Sequence, residues 1–323
     1  MFLHYVYTRE ISNSHLPGKR LQSDASFMNV KTNAAVMRTL CVLIVFLFTP
    51  IAHAGIEFEA SKNGDHFVYL PRAQAKNILV IAHGMYRQDQ SAVDVARKYI
   101  GRWTEYAEKY NLVLIAPVFD DSRFGTLSQG YGGYRNLFGK YVAADDFVNG
   151  LVKKYSRYTS SKSDQFYLYG HSAGAQFAVR YVVTHPHRII KAVVSAAGRY
   201  SYPTKKVKWP YGAGDLDKTI AWDNGQIIKR VQVTRRLLDY AHAAEKTSIV
   251  IGSADTKTQP ARPGHVGSNR IEFAQSWSSA MNSIADSYGK QGRVTVNIVS
   301  GVGHNSRRLT PYCAEVLFAD NQP

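Results

Sequence analysis

A chain of 323 residues with 45% hydrophobic and 20% charged side chains is long enough for one large α/β domain or two small ones, and its composition excludes disorder and a multi-span membrane protein. The net charge is +16, which supports attraction to anionic surfaces. The basic residues are spread along the sequence instead of forming an arm or a recognised motif, so no specific nucleic-acid partner is expected.

Near the N-terminus, Met37-Arg38 precedes the apolar run Thr39 to Phe48, then Thr49-Pro50-Ile51 and Ala52-His53-Ala54. A basic start, a short apolar stretch and an A-x-A site predict a secretory signal peptide, with its hydrophobic region at 39–48 and cleavage after Ala54. The run is too short to span a bilayer, so no stable membrane anchor is expected after cleavage. Residues 1–36 are polar and patternless, and Met28 and Met37 are alternative starts. Residues 1–54 are thus expected to be an N-terminal extension with its signal, and 55–323 a single domain in the periplasm or the medium. Cleavage removes Cys41 with five basic and two acidic side chains, leaving a net +13 and Cys313 as the one cysteine. No internal disulfide is then possible, and the fold must rest on its core.

From Gly55 onward, Ile56-Glu57-Phe58-Glu59 and His66-Phe67-Val68-Tyr69-Leu70 read as two strands joined through Asn63-Gly64, a hairpin signal. Asn77 to Ala82 is a continuous apolar run, as expected of a strand buried on both faces of a parallel sheet, and it stops at His83-Gly84-Met85. Helical spacing covers Ala92 to Tyr110, a second buried strand Leu112 to Pro117, and a helix Ala143 to Tyr158. The strand Gln165 to Tyr169 runs into Gly170-His171-Ser172-Ala173-Gly174, and a helix follows. Beyond it come a strand at 190–196, an aperiodic excursion at 198–225, a helix from Ile227 to Ala244, a strand at 248–251, a helix from Ile271 to Tyr288 and a last strand at 293–299. Alternating strands and helices predict a mostly parallel sheet covered by helices on both faces, with 198–225 a small cap or lid.

Ser172 sits at the tip of a strand-turn-helix, where a G-x-S-x-G string exposes a serine hydroxyl. A serine is a poor nucleophile alone; it needs a base within hydrogen-bond reach and a third group to orient that base. Gly252-Ser253-Ala254-Asp255 and Gly301-Val302-Gly303-His304 each follow a later strand. Asp255 is expected to accept the imidazole N–H and His304 to take the serine proton, with Asp215 and Asp217 as reserve acids. Two backbone donors must face the oxygen that becomes charged. Ala173, directly after the serine, and Met85, in the turn freed by Gly84, are the expected pair, with Tyr86 the fallback for Met85. His185-Pro186-His187 is a weak metal string that reads better as a helix-ending turn, and neither a metal nor a cofactor is expected.

Together His83-Gly84, Ala116-Pro117-Val118-Phe119, Gly170 to Gly174, Gly252 to Asp255 and Gly303-His304 resemble an α/β-hydrolase. The signal and modest cap resemble the secreted poly(3-hydroxybutyrate) depolymerase-like and carboxylesterase branch. The resemblance implies the α/β-hydrolase fold, the order serine, acid, histidine along the chain, and ester hydrolysis through an acyl-enzyme on a small-molecule or polymeric ester. A peptidase or amidase on the same residues, and a non-catalytic protein of this fold that binds polyanions or a partner, are the alternatives. Tyr86, His171, Tyr131 and Trp209 are expected to touch substrate. Tyr134, Tyr141, Tyr200, Tyr202, Tyr211 and Trp222 belong to the same two aromatic loops, and either line the rim or pack the loops. Lys205, Lys206 and Lys208 favour an anionic substrate.

Overall fold

Strands covered on both faces need apolar side chains at every position, and three such runs form the middle of the sheet. The structure, a computed structural model, describes residues 55–87, 89–125, 133–222 and 225–319. The expected signal peptide, its cleavage site and Tyr131 lie outside the described residues. The strands β1 (Ile56–Glu59), β2 (His66–Tyr69), β3 (Asn77–Ala82), β4 (Leu112–Pro117), β5 (Phe166–His171), β6 (Ile189–Ser195), β9 (Thr247–Gly252) and β10 (Thr295–Val299) form one sheet. Its order is β1-β2-β4-β3-β5-β6-β9-β10. β1 pairs antiparallel with β2, and β2 with β4; from β4 to β10 every pairing is parallel.

Side chains alternate across this sheet with the period of two that a strand imposes. Ile78 and Val80 of β3, Val113 and Ile115 of β4 and Phe166 and Leu168 of β5 join the core on one face. Leu79 and Ile81, Leu112 and Leu114, and Tyr167 and Tyr169 join the core on the other. Helices α1 (Ala92–Gly101), α2 (Thr104–Tyr110) and α8 (Ser306–Phe318) cover the second face, through residues such as Ile100, Ala107 and Leu317. Helices α4 (Ala144–Tyr155), α5 (Ala173–Val182), α6 (Leu237–Ala244) and α7 (Arg270–Ser287) cover the first. A short α3 (Asp121–Phe124) follows β4.

The structure corrects three expectations. The helix expected over 92–110 is two helices, because the chain turns at Gly101-Arg102 to bury Trp103 completely against Tyr169, ring centroids 4.7 Å apart. The helix expected from Ile227 begins only at Leu237. Residues Ile227–Val233 are instead strand β8, paired antiparallel with β7 (Leu216–Trp222), so the second half of the supposedly aperiodic excursion is one arm of a hairpin. Leu216, Ile220 and Trp222 are buried while Asp217 and Thr219 are exposed, the alternation of a half-covered ribbon. Helix α8 was not foreseen; it begins one residue after Asn305, whose side chain caps it by accepting from the Arg308 N–H at 3.1 Å.

The first half of the excursion is fixed to α7 and does not hang free. The Trp277 indole donates to the Ser201 carbonyl at 2.7 Å, Tyr202 and Ser276 share a hydroxyl–hydroxyl bond of 2.7 Å, and the Tyr200 ring lies 5.0 Å from Trp277.

Candidate active site

Parallel strands deliver their following loops to one edge, and β3, β5, β9 and β10 bring four of those loops together. β5 ends at His171, and Ser172 takes φ 56° and ψ −111° before α5 begins. That left-handed conformation is strained for a residue with a Cβ and holds the hydroxyl clear of both strand and helix. The Ser172 N–H is tied to the Ser195 carbonyl of β6 at 2.9 Å. The flanking glycines make the turn possible. A Cβ on Gly170 would lie 2.3 Å from the Gly174 carbonyl oxygen, and one on Gly174 would lie 2.0 Å from the carbonyl oxygen of Ala82 at the end of β3.

After β9, the backbone at Ser253 and Ala254 donates to the Val299 and Val302 carbonyls, both at 2.9 Å, which locks the Asp255 loop to the loop after β10. There Asn305 N–H donates to Gly303 at 2.8 Å, turning His304 back over the sheet edge. The result is a continuous chain: His304 Nδ1 lies 2.7 Å from Asp255 Oδ2, and His304 Nε2 lies 3.0 Å from Ser172 Oγ. Asp255 is 2% exposed and His304 33%. An ionised carboxylate can only accept, so Nδ1 carries the proton and Nε2 is left to accept from the serine hydroxyl.

Asp255 has a second partner that sequence reasoning missed. Arg270 Nη1 donates to Asp255 Oδ1 at 2.9 Å. The Asn269 side chain caps α7 by accepting from the N–H groups of Ile271 and Glu272, so Arg270 is held in the helix's first turn. Burial alone pushes the Asp255 carboxyl up, but the hydrogen bond and charge of His304, with the charge and hydrogen bond of Arg270, hold it below its ordinary value. The reserve acids are elsewhere: Asp215 is exposed and pairs with Lys205 at 3.4 Å, and Asp217 pairs with Arg230.

The loop after β3 is braced by a buried imidazole. His83 is fully enclosed; its Nε2 accepts from the Phe119 N–H at 3.0 Å, so its Nδ1 donates to the Gly84 carbonyl at 2.7 Å. This strut fixes the turn that carries Met85, which lines the cleft together with Ser172 and Ala173. Ala173 is the first residue of α5, where a backbone N–H has no partner inside the helix.

The other expected contacts are placed differently. His171 is 3% exposed. It lies under His304, ring centroids 4.8 Å apart, with Nδ1 against Ser195 Oγ at 3.1 Å, and is absent from the cleft wall. Trp209 is 1% exposed and stacked under Arg235. The Tyr86 hydroxyl accepts from the Asp121 N–H at 3.0 Å, outside the cleft lining. Tyr134, Tyr200, Tyr202 and Trp222 are buried as loop packing, Tyr141 is exposed, and Tyr211 alone of the described rim aromatics lines the cleft. These rings supply most of the buried volume of the loops, beside smaller aliphatic residues such as Leu137, Leu216 and Ile220.

The cleft above Ser172 has a volume of about 390 Å³, and its charged lining is Arg135, Arg199, Arg262 and Arg270. His185 pairs with Asp145 at 2.8 Å and His187 packs against His242, so the His185-Pro186-His187 string is spent on surface contacts. Among the described residues no group of three or more His, Cys, Asp or Glu could hold a metal ion, and no helix is long and apolar enough to cross a membrane.

Imidazoles held neutral by full or partial burial have a consequence for stability. Burial is the largest cause that lowers His66, His83 and His265 to about 4 each. In the unfolded chain they titrate near the ordinary histidine value, 6.5. As the pH falls from about 7 toward 4 the unfolded state takes up protons that the native state refuses, so native stability falls across that window. The expected loss is on the order of 1–3 kcal/mol per histidine. Urea midpoints should therefore drop markedly between pH 7.5 and pH 4.5; equal midpoints would show that these rings are not held neutral.

No protein-family model matches the chain, and no curated protein matches it in sequence. In structure it is similar to a poly(3-hydroxybutyrate) depolymerase from Bordetella parapertussis, with 22% identity and a TM-score of 0.64 over 84% of this chain and 92% of that one. It is also similar to poly(aspartic acid) hydrolase-1 from Sphingomonas sp. KT-1, with 19% identity and a TM-score of 0.62 over 82% of this chain and 98% of that one. The fold is the α/β-hydrolase fold.

Proposed function

We propose that this chain is an exported serine hydrolase that cleaves carboxylic esters through an acyl-enzyme. The observation that carries the reading is the unbroken path Ser172 Oγ, His304 Nε2, His304 Nδ1, Asp255 Oδ2, with steps of 3.0 and 2.7 Å between side chains. Ser172 Oγ attacks the ester carbonyl as its proton passes to His304 Nε2. The carbonyl oxygen becomes an oxyanion between the N–H groups of Ala173 and Met85. Collapse expels the alcohol, which leaves with the proton held by His304. Water then repeats the sequence on the acyl-serine: His304 takes a proton from the water and returns one to Ser172, releasing the acid. Asp255 keeps the imidazole in the required tautomer and stabilises the imidazolium. Export rests on the charged start, short apolar run and Ala52-His53-Ala54 of the N-terminal segment.

A fluorophosphonate probe and a set of 4-nitrophenyl esters test the reading together. The purified protein is expected to take up one equivalent of probe at Ser172 and to hydrolyse 4-nitrophenyl butyrate. Absence of labelling, or labelling that persists in Ser172→Ala, would sink the hydrolase reading. Faster turnover of the matching anilides than of the esters would reassign the site to amide bonds.

A further inference from the structure

The substrate cleft is charged in one sense only. Among the described residues Arg135, Arg199, Arg262 and Arg270 line it with Ser172, and no aspartate or glutamate does. The remaining polar lining includes the amides Asn136, Gln176 and Gln259. Arg270 is matched by Asp255 behind the wall, but no carboxylate pairs with Arg199 or Arg262 among the described residues. Arg199 instead gives its guanidinium nitrogens to the Gly198 and Pro260 carbonyls, and Arg262 gives one to its neighbour Ala261. Burial lowers Arg199, and the charges of Arg262, Arg270 and Arg135 lower it further, as expected of like charges that line one cleft.

A fifth cation lies directly behind this wall. Arg180 of α5 is fully buried, with no carboxylate partner among the described residues. It donates to the carbonyls of Gln176 at 3.1 Å and Arg199 at 3.3 Å, two residues of the cleft wall, and to Pro210 at 3.2 Å; its Nη2 has no hydrogen-bond partner. Burial pushes its guanidinium down to about 9. Positive charge withdrawn from water at Arg180 and, in part, at Arg199, with no carboxylate partner among the described residues, is costly in the absence of an anion and is offset when an anion enters.

Resting on the serine-hydrolase reading, we propose that the cleft selects substrates carrying carboxylate groups beside the bond to be cleaved, with Arg199 and Arg262 as specificity-determining residues. The planar fork of a guanidinium matches a carboxylate bidentately, and two forks without acidic partners leave donors available to substrate. The lysines that suggested an anionic substrate from sequence are not in this lining: Lys205 is engaged with Asp215 and with the Arg235 carbonyl. The charge that reads substrate comes from arginines far apart in the chain.

Two matched pairs of esters test this on the intact protein: mono-4-nitrophenyl adipate beside its methyl ester, and 4-butyryloxybenzoate beside its methyl ester. They place the carboxylate on the acyl and on the leaving-group side. For at least one pair, kcat/KM is expected to favour the anion by about tenfold or more, and the ratio to fall as salt is raised. Arg262→Gln, at an exposed position, and Arg199→Gln should each lower that ratio several-fold. Glutarate should compete with neutral-ester turnover at lower concentration than inorganic phosphate; inhibition by phosphate alone overturns the carboxylate assignment. Turnover of the neutral esters without preference for either anion, or a ratio unmoved in Arg262→Gln, overturns the inference and leaves the hydrolase standing. No turnover of any of the four esters, with no probe labelling, removes both.

Discussion

His304→Ala is expected to lower kcat for ester hydrolysis by about 10⁵-fold or more, with little change in KM, and Asp255→Asn by about 10⁴-fold. The two numbers differ because the groups do different things. In the proposed mechanism His304 Nε2, 3.0 Å from Ser172 Oγ, takes the proton itself, and without it the hydroxyl must attack as a neutral alcohol. Asp255 touches only the far side of the ring. An asparagine there can present its NH₂ to Nδ1 and so stabilise the wrong tautomer, leaving Nε2 as a donor that cannot accept from Ser172. Residual hydrolysis above the water rate should survive in both, through the N–H groups of Ala173 and Met85. Stability should separate them as well. His304 is a third exposed, so its loss costs little packing. Asp255 is 2% exposed and shared with Arg270, and a neutral side chain there strips a nearly buried guanidinium of its counter-charge. Steady-state kinetics with melting curves on both variants check this; a wild-type-like kcat in Asp255→Asn would move the acid away from position 255.

Much of this arrangement was legible in the sequence because it obeys local rules. Ser172, Asp255 and His304 each follow a strand within a few residues, and a parallel sheet sends all such loops to one edge whatever the details of packing. The backbone donors proposed at Met85 and Ala173 were read from Gly84 and from the start of a helix, which are local signals too. Other features became visible only in three dimensions. Arg270 begins a helix 15 residues beyond Asp255 and reads as an ordinary first-turn residue until α7 packs against the sheet. Arg135, Arg199 and Arg262 belong to three loops with no shared motif, whereas Lys205, Lys206 and Lys208 stand out as a run but are kept at the surface by their hydration and, for Lys205, by Asp215. The aromatic residues of the excursion could equally line a rim or pack the loops, and they divide: Tyr200, Tyr202, Trp209 and Trp222 pack the loops, while Tyr211 lines the cleft. Ile227-Ile228-Lys229-Arg230-Val231-Gln232-Val233 fits a helical or an alternating pattern equally well; its β-branched content was the better guide, since such side chains lose less freedom in a strand.

Two identical substitutions at glycines should move stability in opposite directions. Gly174→Ala places a methyl group 2.0 Å from the Ala82 carbonyl oxygen, 2.5 Å from its carbon and 2.6 Å from the His83 carbonyl oxygen. All three are backbone atoms of β3 and the turn that follows, so no side chain can swing aside. Relief requires the start of α5 to retreat from the sheet by about an ångström, or the strand end to give way. The expected cost is at least about 3 kcal/mol, a fall in Tm of roughly 6–12 °C for a domain of this size. The same retreat drags Ser172 and Ala173 away from Met85, and a misplacement of that order should lower kcat/KM by about 100-fold even in the molecules that fold. Gly150 lies on the exposed side of α4 with nothing within 4 Å of where its Cβ would be. Gly150→Ala should therefore stabilise by roughly 0.5–1 kcal/mol through backbone entropy and helix propensity alone, leaving kinetics unchanged. Calorimetry and initial rates on the two variants separate a general tolerance of the helices for alanine from the specific closeness of α5 to β3. If Gly174→Ala melts and turns over like the wild type, the close crossing that forces Ser172 into its strained turn is not what holds the nucleophile in place.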